Sequence, residues 1–147
     1  SIHEIFSLLT SLEVTSGRLA CLRMSNSQMN TLERMIADME ALVNQPDEWS
    51  ERNKALHAYI CECAMVPLIR RMLMMALDHW DRLRSIYLTN VFAGRVAAAQ
   101  AEHVKLLAAL RERDPDRVEE ILKKHNAVSL AAYIALLHKT GVLRDTL

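Results

Sequence analysis

Two histidines on either side of a predicted helix break are the first residues in this sequence whose spacing suggests a chemical site. His103 lies eleven residues before Asp114, and His125 lies eleven residues after it. Asp114-Pro115 is a typical helix start, because Asp is a favoured N-cap and Pro fits the first helical position. If the flanking helices form an antiparallel hairpin, each histidine lies roughly 16 Å from the turn, at about 1.5 Å per residue. The two imidazoles are therefore expected at the same level.

A third histidine, His57, is expected to lie near the other two. It stands roughly nine residues into the predicted third helix, and His103 stands roughly twelve residues into the fifth. These helices flank the fourth in up-and-down order, so they run parallel and the two histidines differ in height by about 4–5 Å. Asn53 precedes His57 by four residues and shares its helix face. Three neutral imidazoles with open positions suit Zn²⁺ or another borderline divalent metal.

Other readings of these residues compete with a metal site. A single histidine is more often a hydrogen-bonded or surface residue than a ligand, and His3, His79 and His138 are interpreted in that way. Cys61 follows His57 by four residues, so it is either a fourth ligand or a buried thiol. No histidine has Glu three residues before it, as a di-iron carboxylate bundle would require. No nucleophile elbow or converging carboxylate pair is recognisable, and the sequence predicts that the protein is not an enzyme.

The composition favours a single all-α domain. The chain has 147 residues, with 51% hydrophobic and 24% charged residues and only three glycines and three prolines. Its formal net charge is zero, which argues against a chain that binds nucleic acid by itself. No signal peptide or apolar run of the roughly 18 residues needed for a membrane span is recognisable. Three cysteines, an odd number, indicate reduced thiols and a cytoplasmic protein.

Hydrophobic periodicity and helix caps predict an antiparallel bundle of about six helices. The expected segments are 2–23; a helix capped by Ser25 or Asn26 and ending near Val43; Glu48 to Ala64, capped by Asp47; Pro67 to Leu88; a helix that follows a link near Thr89-Asn90 and ends at Glu112; and Pro115 to His138, with Gly141 as terminator.

The predicted fourth helix has almost no polar face in its first half. The apolar residues are Leu68, Ile69, Met72, Leu73, Met74, Met75, Ala76 and Leu77. A helix that is apolar all round is buried on all sides. Either it is the central helix of the bundle, or it also packs against a second subunit.

Several of these motifs resemble the C-terminal effector-binding (FCD) domain of GntR-type transcription regulators of the FadR subfamily. That domain carries the pattern E-H-x-x-I-L-x-A-I-x-x-G-D and a further His eleven residues after the Asp, and an upstream D-x-x-x-H. The matching residues here are Glu102-His103, Leu106-Leu107, Ala109-Leu110, Asp114, His125, and Asn53 to His57, with Leu12-Glu13, Gly17, Ala20 and Cys21 following the pattern of its first helix. The resemblance covers nearly the whole chain, and six helices are similar to the VanR-type branch.

The resemblance implies a metal site and an effector site. Its metal ligands correspond to Asn53, His57, His103 and His125, and Zn or Ni is the expected metal. Since Asn53 is neutral where the family has Asp, partial occupancy is expected, with an anion or the effector's carboxylate supplying the missing charge. Asn53→Asp is expected to tighten binding about tenfold. The effector is expected to be a small carboxylate, with Arg82, Arg84 and Arg95 as candidate contacts and Leu9 where the family often has Arg.

The resemblance also implies how the protein assembles. Residues 1–147 are expected to form the effector-binding and dimerisation domain of a homodimer. DNA would be bound only through an N-terminal winged-helix domain that this sequence does not contain, and no membrane partner is expected. The alternative function is a helical protein–protein interaction module without a metal or effector site, and a metal-dependent enzyme ranks third.

Overall fold

The computed structural model describes residues 1–141 and confirms the predicted all-α architecture. Within these residues the chain forms six helices: α1 Ile2–Arg23, α2 Asn26–Glu40, α3 Pro46–Ala64, α4 Pro67–Tyr87, α5 Thr89–Arg111 and α6 Pro115–Lys139. Nine of the twelve bounds that the sequence predicted lie within one residue of the observed ones. The predicted terminator Gly141 is the last described residue, and its positive φ of 71° is the left-handed conformation that glycine adopts readily.

The helix starts follow local capping chemistry. Asp114 accepts a hydrogen bond from the backbone N–H of Arg117 at 3.0 Å, as its position before Pro115 predicted. Ser25 and Gln28 form a reciprocal capping box at the start of α2. These side chains satisfy backbone donors that have no partner inside the helix.

Three predicted boundaries are wrong. Asp47 does not cap α3, because the helix already begins at Pro46 and Asp47 lies in its first turn. Proline's fixed φ makes it suitable for that first position, and an acidic residue in the first turn still interacts favourably with the helix dipole. The link predicted at Thr89-Asn90 is the single residue Leu88. The second helix ends at Glu40, and turn residues replace the predicted extension to Val43.

The central helix is α1, which packs against α3, α4, α5 and α6. Its closest approach is to α6 at Gly17, where an added Cβ would lie 3.0 Å from both Val118 and Leu122. The sequence had suggested α4 for the central position or for contact with a second subunit. In the structure α4 buries only one face, and Leu68 and Met75 are 63% and 59% exposed. Helix α4 is therefore not buried on all sides within this chain.

Helix α1 is also the one helix within residues 1–141 that is long and apolar enough to cross a membrane by length and composition. The sequence interpretation had found no such segment. An 18-residue window of α1 has a mean hydropathy of 1.3. The core helix of a soluble protein passes the same test, and α1 packs against four other helices, so this is weak evidence for a membrane span.

Candidate metal and effector site

A cavity of about 60 Å³ lies inside the bundle and is lined by side chains from all helices except α2. Its polar lining includes Asn53 and His57 of α3, Arg95 of α5 and His125 of α6. A smaller cavity of about 10 Å³ shares His57 and His125 with the first and adds His103. The structure thus brings the three histidines of the sequence prediction to adjoining cavities at one level of the bundle.

Stacking and a hydrogen-bond chain hold His103 in place. The ring of His103 stacks on Trp49, with centroids 5.4 Å apart and planes 7° apart. Trp49 Nε1 donates to Gln100 Oε1 at 2.9 Å, and Gln100 Nε2 donates to the carbonyl of Ile36 at 2.8 Å. Since every member of this chain is buried or backbone, the His103 ring is fixed by packing before any ligand binds.

Glu102 orients His125, and this is a functional role that the sequence interpretation missed. The Nδ1 atom of His125 and a carboxylate oxygen of Glu102 form a hydrogen bond between α5 and α6. A second carboxylate oxygen of Glu102 lies 3.7 Å from the guanidinium of Arg95. Carboxylates commonly fix the orientation of metal-binding imidazoles in this way. His125 therefore keeps Nε2 as the nitrogen available to a metal.

The imidazoles of His103 and His125 are neutral at physiological pH. Burial lowers the pKa of His103 to about 3, with a further lowering by neighbouring His57. Burial also lowers the pKa of His125 to about 4, with His57 and Arg95 as smaller causes. A neutral imidazole is the form that coordinates metal ions.

The residue types of this donor set suit a divalent metal, but the side chains would have to move closer together to bind one. Within residues 1–141, no three His, Cys, Asp or Glu side chains are already close enough together to hold a metal. The ring centroids of His57 and His103 are 6.2 Å apart, whereas two imidazoles on one tetrahedral Zn²⁺ lie roughly 5 Å apart, given Zn–N distances of about 2.0–2.1 Å. Asn53 Oδ1 and His103 Nδ1 are buried without a hydrogen-bond partner among the described residues. Such unsatisfied acceptors are costly unless a ligand binds them.

The three candidate effector arginines have different surroundings. Arg95 lines the larger cavity, donates to Ser129 Oγ at 3.1 Å and has a buried Nε atom without a hydrogen-bond partner among the described residues. Arg84 is buried, bonds Asp81 at 2.8 Å and lies 4.1 Å over the Phe92 ring. Arg82 is exposed and contacts the His79 ring of its own helix. Only Arg95 of these three lies in the cavity lining.

Glu13 and Asn126 also line the larger cavity, and the sequence interpretation did not assign either residue to the site. Glu13 of α1 is 6% exposed and lines both cavities. Asn126 of α6 donates to Glu13 Oε2 and to Thr10 Oγ1, each at 3.0 Å. The signal that could have found them is their helical position, because Glu13 lies one turn from Gly17 and Asn126 directly follows His125.

Cys61, the alternative fourth ligand, lies outside the lining of both cavities. Its thiol is fully buried, and burial raises its pKa, although a hydrogen bond with Ser16 acts in the opposite direction. The thiolate is the form that binds metals, so this environment favours the buried-thiol reading.

Within residues 1–141 the helical bundle encloses a small cavity lined by histidines and an arginine, an arrangement that suits a small polar ligand. The family model of the FCD domain matches residues 4–127. The chain belongs to the FCD domain family, which provides the ligand-sensing regulatory domains of GntR-type regulators. No curated protein matches the sequence. FCD domains bind small-molecule effectors and often dimerise.

Proposed function

We propose that this chain is the sensor domain of a cytoplasmic GntR-type regulator of the FadR subfamily, VanR-like branch. It binds a small carboxylate beside a divalent metal, Zn²⁺ or Ni²⁺, and DNA binding belongs to a separate winged-helix domain. The observation that carries this proposal is the meeting of His57, His103 and His125 at adjoining cavities with Asn53. An interaction module has no need for a buried imidazole with an unsatisfied nitrogen, such as that of His103.

Each residue has a distinct part in this proposal. Asn53, His57, His103 and His125 hold the metal, and Glu102 keeps His125 in the required orientation. A bound divalent metal supplies Lewis-acid attraction for a carboxylate. Arg95 then binds the second carboxylate oxygen through its unsatisfied Nε, because guanidinium pairs with carboxylates in a fork geometry.

The rest of the lining limits the effector to a small molecule. Phe6, Trp80 and Tyr133 close one side of the cavity, with ring centroids 4.7–6.0 Å apart. Leu9 adds another apolar wall where the resembled family often has Arg. With about 60 Å³ of space, the cavity suits a carboxylate of a few heavy atoms.

The effector role of Arg95 is tested by calorimetry with Zn²⁺ followed by acetate as the probe. Arg95→Met is expected to weaken acetate binding to the Zn²⁺-loaded protein about tenfold, because it removes a charge-assisted hydrogen bond of about 1.5 kcal/mol. Zn²⁺ affinity should not fall, since Arg95 repels a cation.

Arg82→Met is the matched control, because it removes the same charge from an exposed position on α4. Acetate affinity should be unchanged in this variant. Equal losses in both variants would mean that Arg95 acts through long-range charge and does not contact the carboxylate. Wild-type protein that binds neither Zn²⁺ nor Ni²⁺ would favour the interaction-module alternative.

The second part of the proposal is a homodimer formed through α4. Exposed apolar residues follow a heptad spacing from the α3–α4 turn into this helix: Met65 in the turn and Leu68, Met72 and Met75 of α4 are 42–67% exposed. If two copies pair antiparallel about the Met72–Met75 level, Arg71 of one copy lies near Asp78 of the other. This arrangement forms two Arg71–Asp78 ion pairs between the copies and buries the methionines.

Size-exclusion chromatography with light scattering is expected to give a dimer at tens of micromolar. Met72→Lys places a charge at the centre of the seam and should shift the protein to a monomer. Val104→Lys is the control, because Val104 is a similarly exposed apolar residue, 52% against 42%, on α5. A monomer mass for the wild type, or a dimer in Met72→Lys, would contradict dimerisation through α4.

A further inference from the structure

We infer that Glu13 supplies the negative charge that the metal site lacks at Asn53. This inference rests on the proposed function and assigns a role to a residue of α1, a helix that carries none of the proposed ligands. Glu13 is 6% exposed, and it lines the two cavities whose other walls carry His57, His103 and His125. It is a carboxylate in contact with the space where the metal would bind.

The side chain of Glu13 has a hydrogen-bond donor beside it but no cationic partner among the described residues. Among the described residues, no Lys or Arg nitrogen lies within the 4.0 Å of an ion pair, and the side chain accepts from Asn126 Nδ2 at 3.0 Å. A buried carboxylate is unfavourable unless a cation pairs with it. A divalent metal would provide the missing partner.

Local packing explains why α1 reaches the site. Gly17 permits the close approach of α1 to α6, since an added Cβ would lie 3.0 Å from both Val118 and Leu122 and would force these side chains to shift. Glu13 lies one turn earlier on α1 and so meets α6 at Asn126, beside His125. Asn126 also donates to Thr10 at 3.0 Å and thereby clamps the two helices together. The carboxylate is held at the cavity by both helices.

The hydrogen bond with Asn126 decides which oxygen is available. Asn126 occupies Oε2 of Glu13, and we assign Oε1 to the cation. In this arrangement the site has three imidazoles, one amide oxygen and one carboxylate. The carboxylate then comes from α1 in place of the Asp that the resembled family carries at the position of Asn53. A carboxylate oxygen is a common fourth ligand beside imidazoles on Zn²⁺.

The test is calorimetric titration of Zn²⁺ alone into the whole chain and its variants. Glu13→Gln keeps the shape and hydrogen-bonding capacity but removes the charge, and it should weaken Zn²⁺ about tenfold, or about 1.4 kcal/mol. Glu4→Gln is the matched control on the same helix, because the Glu4 side chain is 85% exposed. Its Zn²⁺ affinity should equal that of the wild type.

A rescue experiment tests whether Glu13 supplies charge to the metal or only supports the local structure. Asn53→Asp in the Glu13→Gln background returns one carboxylate to the cavity and should restore Zn²⁺ affinity about tenfold. In the wild-type background the same substitution should gain only about threefold or less, in place of the tenfold gain expected from the sequence, because Glu13 already provides the charge. A tenfold gain in that single variant would overturn the inference, and it decides the question even if Glu13→Gln fails to fold.

The outcomes also distinguish this inference from the proposed function. If the wild type does not bind Zn²⁺ or Ni²⁺, the metal site itself is wrong and the inference falls with it. If the wild type binds Zn²⁺ and folded Glu13→Gln binds it equally well, only the role of Glu13 is wrong.

Discussion

His103→Ala is expected to weaken Zn²⁺ binding about a hundredfold or more. Removing an outer-shell partner of a ligand typically costs about 10–100-fold, and loss of a direct ligand should cost at least as much. His103 is 5% exposed and stacked on Trp49, so its replacement also removes the donor that is held most rigidly. His57→Ala and His125→Ala should have similar effects, because each removes one of three imidazoles. The measurement is metal content after dialysis together with calorimetric affinity.

Two controls accompany these variants. His79→Ala removes an exposed imidazole on α4 and should leave Zn²⁺ binding unchanged. Because His103→Ala leaves a cavity next to Trp49, circular dichroism must show that the variant is folded under the titration conditions. Unchanged metal content in all three cavity variants would make the histidines structural, and the interaction-module alternative would be preferred.

The level at which the histidines meet was predictable from the sequence because it depends on helix geometry alone. Once Asp114-Pro115 marks the turn, a fixed rise per residue places His103 and His125 opposite each other. Up-and-down topology then places His57 near the same height. None of these steps requires knowledge of side-chain partners.

The partners of charged side chains could not be predicted in the same way. Arg84 binds Asp81 of its own helix, but it also lies 3.4 Å from Asp47 of α3, 37 residues away, whereas Arg95 lines the cavity. A long side chain can reach several neighbours, and its partner is determined only once the helices have packed. The role of Glu102 was hidden for the same reason, because its partner His125 lies 23 residues away on another helix.

The ends of helices were the least predictable feature. Asp47 has the chemistry of an N-cap, but Pro46 before it takes the first helical position and moves the cap to Gln45. The apolar first half of α4 was interpreted as fully buried, although about half of that face is exposed in this chain. Periodicity measures how apolar a face is and does not identify the surface that covers it.

The polar cluster around Asp81 is expected to contribute strongly to stability. Asp81 of α4 accepts from Lys54 at 2.7 Å and from Ser50 at 3.1 Å, both on α3. It also accepts from Arg84 Nε at 2.8 Å, and the side chain of Arg84 is only 7% exposed. The hydrogen bond with Asp81 is the main cause that raises the pKa of Lys54, while burial acts in the opposite direction. One carboxylate therefore ties α3 to α4 and balances two cations.

Asp81→Asn is expected to lower the free energy of unfolding by about 2–3 kcal/mol. The substitution keeps the shape but leaves Arg84 buried without its main counter-charge, and breaking a buried pair costs about 3–5 kcal/mol. The loss expected for Asp81→Asn is smaller than that of a fully buried pair, because Asp81 and Lys54 are 17% and 21% exposed and water screens part of the interaction. Urea unfolding followed by circular dichroism measures the change from the midpoint and slope.

Asp116→Asn is the matched control for this stability effect. Asp116 pairs with Arg18 at the same 2.8 Å distance that separates Asp81 from Arg84, but its side chain is 90% exposed. An exposed ion pair contributes about 0–1 kcal/mol, so this variant should unfold close to the wild-type midpoint. Because Lys54 directly follows Asn53 on α3, Asp81→Asn should also loosen the cavity wall and weaken Zn²⁺ binding. Equal stability of the Asp81 and Asp116 variants would mean that the α3–α4 contact is held by apolar packing and that the Asp81 cluster adds little.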